Sequence, residues 1–152
     1  MSLSLLLTTL LSVTALVSVC VRRIPEGQVY SLRRLGGHTR FVGAGTHFIL
    51  PLVERISHKM SLTGSRIDIN APLYSGENCQ ASVYFQVLDP QRADHVIESV
   101  EPLLRDRATH LLASDSAPVD QLECRLWLKQ GLNSEVRERG LLVTRIDLRR
   151  AA

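Results

Sequence analysis

His38, His47 and His58 fall within 21 residues of one another, and three imidazoles that close suggest a metal site. Their spacing assigns them to different strands and turns, and no carboxylate stands at a recognisable ligand interval from them. Histidines that are solvated or bonded to nearby backbone are the expectation. Thr63-Gly64-Ser65 and Ser75-Gly76 have the small residues of a nucleophile elbow but not its G-x-S-x-G order. Gly36-Gly37 and Gly43-Ala44-Gly45 lack the lysine and the following helix of a phosphate loop, so they are expected as hairpin turns. Asp115 with Asp120 and Glu135 with Glu138 sit among basic residues in helix-forming stretches, where surface ion pairs account for them. Cys20, Cys79 and Cys124 form neither C-x-x-C nor a metal-finger pattern. These residues point away from an enzyme: no catalytic, cofactor or metal site is expected.

The element that must position everything else is the first one. Ser2 to Val21 is uncharged, rich in Leu, Val, Ser and Thr, and ends against Arg22-Arg23. Twenty helical residues at about 1.5 Å each cover about 30 Å, the thickness of a bilayer's hydrocarbon core. Residues 1–21 therefore read as a single-pass transmembrane anchor, with Leu5, Leu6, Leu7, Leu10, Leu11, Val13, Leu16, Val17 and Val19 toward lipid and Arg22 and Arg23 as its basic flank. Serine and threonine are compatible with a span because their hydroxyls bond carbonyls of the preceding turn. Two alternatives stand beside it. A cleaved leader could use Ser18-Val19-Cys20, although Met1 to Leu11 holds no Lys or Arg. A buried soluble helix would carry a polar stripe rather than scattered hydroxyls. Lys/Arg bias, with Arg22, Arg23, Arg33 and Arg34 all on the far side, favours a cytoplasmic body and leaves the opposite topology open.

With 152 residues, the chain beyond the anchor has room for one domain, residues 22–150, with a modest core. A net charge of +3 is not the basic stripe of a nucleic-acid binder, so no nucleic-acid partner is expected. Arginines near the anchor either meet anionic headgroups or are simply solvated. Cys20, at the membrane boundary, is either acylated or a small apolar filler.

Ile24-Pro25-Glu26-Gly27 is expected to break the helix. Gln28 to Arg34 and His38 to Val42 form a hairpin about Gly36-Gly37, and Thr46 to Leu50 is a strand stopped by Pro51. Phe41 to Val53 carries no charge, and is either core strand or a segment dipping into the interface beside the anchor. Lys59 to Leu62 and Ser65 to Ile69 follow as short strands, and 70–78 as a loop. From Cys79 to Leu88, Cys79, Ala81, Val83, Phe85 and Val87 alternate with mostly polar residues, the pattern of a half-buried strand. Asp89-Pro90 then caps a helix. Ala93, Val96, Ile97 and Val100 fit one short helix, and Leu103, Leu104, Ala108, Leu111 and Leu112 a second. Pro118 to Arg139 fits a third, with Val119, Leu122 and Leu126 on one face and Gly131 weakening its middle. Gly140 ends it, and Leu142 to Leu148 returns as a strand. The expected fold class is α+β, an antiparallel sheet with helices on one face.

Several of these pieces occur in a familiar order. Ile24-Pro25-Glu26-Gly27, Arg34-Leu35-Gly36 followed by Arg40, Gly45-Thr46-His47-Phe48-Ile49-Leu50-Pro51, Asp68, Val87-Leu88-Asp89-Pro90 and Gly140 to Arg149 together resemble the SPFH or Band 7 superfamily of stomatins, prohibitins, flotillins and bacterial membrane-protease regulators. The motif residues carried by the resemblance are Pro25, Gly27, Arg34, Gly36, Gly45, His47, Pro51, Asp89 and Pro90. Ala44 stands where that family usually has proline, the 70–78 loop is a few residues short, and the sequence stops where a long coiled-coil helix usually begins. The resemblance implies a non-enzymatic scaffold or regulator at a lipid bilayer. It would form homo-oligomers, or hetero-oligomers with other SPFH proteins, and restrain a partner such as a membrane protease. A remnant that has lost assembly and a membrane-tethered hydrolase are the competing readings.

Overall fold

The computed structural model describes residues 3–72, 76 and 78–150. The chain forms two compact units, Met1–Lys59 and Met60–Ala152. The first helix ends at Cys20, one residue before the anchor boundary expected at residue 21.

In the first unit, α1 (Leu3–Cys20) passes directly into β1 (Val21–Ile24). β2 (Gln28–Arg34), β3 (Thr39–Val42), β4 (Gly45–Phe48) and β5 (Glu54–Ser61) follow. β1 pairs antiparallel with β4, from Val21 opposite Phe48 to Ile24 opposite Gly45. The helix therefore ends at Cys20 and not at the proline: β-branched Val21 and Ile24 suit a strand, and pairing with β4 captures the backbone before Pro25 can act. β2 lies between β3 and β5 in a three-stranded sheet. The expected β2–β3 hairpin forms, with Arg33 opposite Thr39. Ile24, Leu32, Val42 and Ile49 form the buried cluster, with Tyr30 packed against it.

The uncharged run from Phe41 to Val53 is not a continuous core strand. Val42 and Ile49 are buried, whereas Phe48, Leu50, Leu52 and Val53 are exposed. β5 begins at Glu54, five residues before the strand expected at Lys59.

The second unit is built on an antiparallel sheet of β6 (Ser65–Pro72), β7 (Asn78–Val87) and β8 (Leu141–Arg150), with β7 in the middle. Cys79, Ala81, Val83, Phe85 and Val87 are all buried, as the alternation requires. The loop expected over 70–78 is shorter: β6 continues to Pro72 and β7 starts at Asn78, while 73–75 and 77, including Ser75, lie outside the described residues. A bulge shifts the β7–β8 register between Tyr84 and Phe85.

Three helices connect β7 to β8. α2 (Pro90–Ala93) is one turn capped by Asp89, and a 3-10 turn at Ile97–Ser99 separates it from α3 (Val100–Leu112). The single short helix expected over Ala93 to Val100 is thus broken in two. α4 (Gln121–Val136) is capped by Asp120 and runs into a 3-10 turn at Arg137–Arg139. α3 packs on β6 and α4 packs on β8, so the helices cover one face of this sheet.

The face shared by Val119, Leu122 and Leu126 is not the one that packs on the sheet. Val119, Leu122 and Leu126 are exposed, and Cys124, Leu128, Leu132 and Val136 face the core. Two polar side chains on α4 reinforce that orientation. Asn133 donates to the Val143 carbonyl at 3.1 Å and accepts from its N–H at 2.8 Å, and Gln121 Nε2 donates to the Leu148 carbonyl at 2.6 Å. The outer edge of β8 is partly satisfied by its own helix. Gly131 is a point of close approach as well as a weak helix former, since a Cβ there would lie 2.9 Å from Leu111 Cδ1.

The architecture is α+β with an N-terminal apolar helix and antiparallel pairings. Among the described residues it has three sheets in place of the expected one, of two, three and three strands.

Candidate functional site

α1 is apolar on every side and solvent-exposed on nearly every side. Leu5, Leu6, Leu7, Leu10, Leu11, Val13, Leu16, Val17 and Val19 are all exposed, and Cys20 is the one buried residue of the helix. The helix is not packed against the rest of the chain as the core helix of a soluble protein would be. Its mean hydropathy is 2.2, and among the described residues it is the one helix long and apolar enough to cross a membrane, a property that an N-terminal signal sequence shares. Its hydroxyls turn inward on the backbone. Thr9 donates to the Leu5 carbonyl at 3.1 Å, and Ser12, Thr14 and Ser18 each donate to the carbonyl four residues earlier at 2.9 Å. Polar atoms satisfied within the helix impose no need for water.

The end of α1 is tied into the strands. The Ile49 N–H donates to the Cys20 carbonyl at 2.8 Å, one residue beyond the Val21–Phe48 pair. Arg22 and Arg23, both exposed, lie opposite His47 and Thr46 on β4. They stand two and three residues beyond the helix end, on β1.

Of the motif residues, Pro25 and Gly27 occupy the β1–β2 turn, where Gly27 has φ +76°. At the next turn the left-handed residue is Gly37, with φ +82°, and not Gly36, so Gly36 is not required by backbone geometry. Gly45 has φ +131° and opens β4. His47 Nε2 lies 3.0 Å from the Gly43 carbonyl, a local bond across the turn. Among the described residues no three His, Cys, Asp or Glu side chains gather, and His38, His47 and His58 remain on separate segments. Asp89 and Pro90 lie in the second unit, where Asp89 Oδ1 accepts from Gln91 N at 3.0 Å and Arg92 N at 3.4 Å.

Arg34 and Pro51 come together around a residue that the sequence reading overlooked. Glu54 is buried, and its Oε1 accepts from Arg34 Nε at 2.9 Å. The turn after Pro51 closes through Val53 N and Glu54 N donating to the Leu50 carbonyl, and Leu35 N donates to the Val53 carbonyl. The available signal was position: Glu54 is the first charge after the thirteen uncharged residues from Phe41 to Val53.

This turn walls an open groove of about 720 Å³ lined by Arg33, Arg34, Leu35, Pro51, Leu52, Val53, Arg55, Ile56 and Ser57. A cleft of about 220 Å³ shares Pro51, Arg55 and Ile56 with it and extends to Val19 and Arg22 at the end of α1. The groove is cationic and its rim apolar. Leu52 is 84% exposed and Leu35 81%, which leaves large apolar side chains without cover in this unit. The charge of the chain is concentrated here as well. The first unit has seven Lys/Arg against two Asp/Glu, a net of +5, and the second has eleven against thirteen, a net of −2.

A second polar cluster lies on the helix-free face of the second unit's sheet. Arg66 and Arg145, on the two outer strands, each approach the Tyr84 ring at 5.8 Å. Each is also held by the aspartate two residues on, Arg66 by Asp68 at 2.8 Å and Arg145 by Asp147 at 2.9 Å. The Ser82 hydroxyl, 2.6 Å from Asp68, and Arg66 hold the Asp68 carboxyl below its ordinary value. Bonding to their aspartates raises both guanidiniums above theirs. The cluster pairs every charge it contains, so it reads as sheet stabilisation rather than chemistry.

No family model matches the chain.

Proposed function

We propose that this chain is a membrane-anchored protein of the SPFH/Band 7 type that works without catalysis, as a scaffold or regulator. It would self-associate, or associate with other SPFH proteins, and hold or restrain other membrane proteins such as a membrane protease. The observation that carries the reading is the exposed apolar helix running without a linker into a paired strand, so that a basic unit is fastened directly to the helix end. Anchoring partners in one plane raises their effective concentration, and weak contacts between copies then suffice for assembly. The ordered motifs from Pro25 to Pro90 support the family, and the sequence carries no G-x-S-x-G nucleophile motif.

Extraction of native membranes with a mild detergent, followed by size analysis and identification of copurifying proteins, tests this. A large complex holding a membrane protease or other SPFH proteins is the expected result, and a lone small species would favour a remnant that has lost assembly. Intact mass of the extracted protein separates the anchor from a cleaved leader, since an anchor keeps Leu3–Cys20.

A further inference from the structure

We propose that the groove beside the end of α1 is a binding site for anionic phospholipid, with Arg22, Arg33 and Arg55 meeting headgroup phosphate while Leu52 enters the boundary of the acyl chains. The inference rests on α1 being a membrane anchor, and goes beyond that reading by naming a lipid class and the residues that select it.

Three observations carry it. The first is position. An α1 of 18 residues spans about 27 Å against a hydrocarbon core of about 30 Å, which draws Val21 and its partner Phe48, both exposed, to the edge of the apolar layer. Leu52 follows Ile49, bonded to the Cys20 carbonyl, by three residues, so about 10 Å of chain at most separates it from the helix end. That is the depth over which interfacial segments seat their apolar side chains.

The second is the division of labour within the groove. Exposed Leu35, Leu52, Val53 and Ile56 sit among the arginines, an arrangement that costs apolar exposure in water and suits the headgroup layer. The third is charge. Arg22, Arg33 and Arg55 form no ion pair among the described residues, and the one carboxylate nearby, Glu54, is engaged by Arg34. Unpaired guanidiniums in a groove open at the membrane edge offer bidentate donors to phosphate. Each is expected to contribute about fivefold to affinity for an anionic surface.

The test uses the full chain in nanodiscs of phosphatidylcholine alone or with phosphatidylglycerol, carrying an environment-sensitive fluorophore at position 52 through Leu52→Cys. In phosphatidylglycerol discs the probe is expected to shift to an apolar environment and to be quenched by lipids brominated near the headgroup. Raising salt should reverse the shift, and Arg33→Gln with Arg55→Gln should weaken affinity for the anionic discs by about 25-fold. Salt titration of the chain with its arginines intact reads the same electrostatic term without relying on the variant. An aqueous probe in both discs, in a chain that resists alkaline extraction from membranes, overturns the lipid site and leaves the anchor standing. A shift that ignores phosphatidylglycerol, or a crosslink from position 52 to another protein chain, overturns it too. Release of the chain by alkaline extraction would instead defeat the anchor on which the inference rests.

Discussion

Arg34 Nε stands 2.9 Å from Glu54 Oε1, joining the last residue of β2 to the first residue of β5. The pair is lopsided, because the Glu54 side chain is 4% exposed and that of Arg34 is 56% exposed. A carboxylate withdrawn from water depends on its partner more than the partner depends on it. Arg34→Ala should therefore destabilise the full chain by about 1–3 kcal/mol, as a charged group is left buried without its bond. Arg34→Ala with Glu54→Gln together should cost less than the sum of the two single changes. Chemical unfolding in detergent measures both, and strict additivity would show that the two side chains act independently.

α4 offers a test of which apolar face is buried. Leu128→Ala or Leu132→Ala should cost about 2–5 kcal/mol, because both side chains are fully enclosed. Leu122→Ala and Leu126→Ala, at 59% and 56% exposure, should stay within about 0.5 kcal/mol. Phe85→Ala on β7 should fall with the first group, at about 3–5 kcal/mol. Thermal unfolding of the five variants orders them, and a large loss at Leu122 would mean that the helix is rotated from this arrangement.

The same helix shows why some of the fold was legible and some was not. β7 could be read residue by residue because its alternation is unbroken and each face has one character, and the hairpin of β2 and β3 because its turn is local. α4 carries leucines on both sides, Leu122 and Leu126 against Leu128 and Leu132, so helical periodicity alone does not choose between them. The choice is made by β8, through Asn133 and Gln121 bonding to its backbone. β1 was hidden for a similar reason: Val21-Arg22-Arg23-Ile24 is short and shows no strict alternation of its own, and only the distant β4 turns it into a strand. The groove at the end of α1 was invisible because Arg33 and Arg55 are separated by the whole β3–β4 segment and meet only in three dimensions. Its apolar half was within reach, since an interfacial dip for part of Phe41 to Val53 was one of the two readings.

Glycine substitutions separate the turns that need left-handed backbone from those that do not. Gly140 has φ +76°, and a Cβ on it would lie 2.5 Å from the Asp89 carbonyl oxygen. That oxygen is backbone, and Leu88 N and Asp89 N both donate to the Gly140 carbonyl, so the segment has little freedom to retreat. Gly140→Ala should cost at least about 1–3 kcal/mol from backbone strain, with the steric clash added. Gly37→Ala, with φ +82° but open space around it, should show the strain alone. Gly36→Ala, with neither, should be close to neutral. Equal losses at Gly36 and Gly37 in thermal unfolding would mean that the turn geometry differs from this one.

Asp68 gives the pH dependence. Its carboxylate accepts from Ser82 Oγ at 2.6 Å and from Arg66 at 2.8 Å, and both bonds favour the charged form, which lowers its pKa from the ordinary 3.8. A depressed carboxyl contributes stability that is fully present above the unfolded value and is lost as pH falls through the folded one. The loss should therefore develop below about pH 4, with none of it appearing between pH 6 and 8. Ser82→Ala removes the largest cause, so the Asp68 pKa should rise toward its ordinary value, and Asp68→Asn should remove this part of the acid sensitivity altogether. Carboxyl chemical shifts followed through an acid titration read the first change, and unfolding midpoints against pH read the second. An Asp68 pKa unmoved by Ser82→Ala would mean that Arg66 alone holds the charge, leaving the serine a spectator on the face of the sheet.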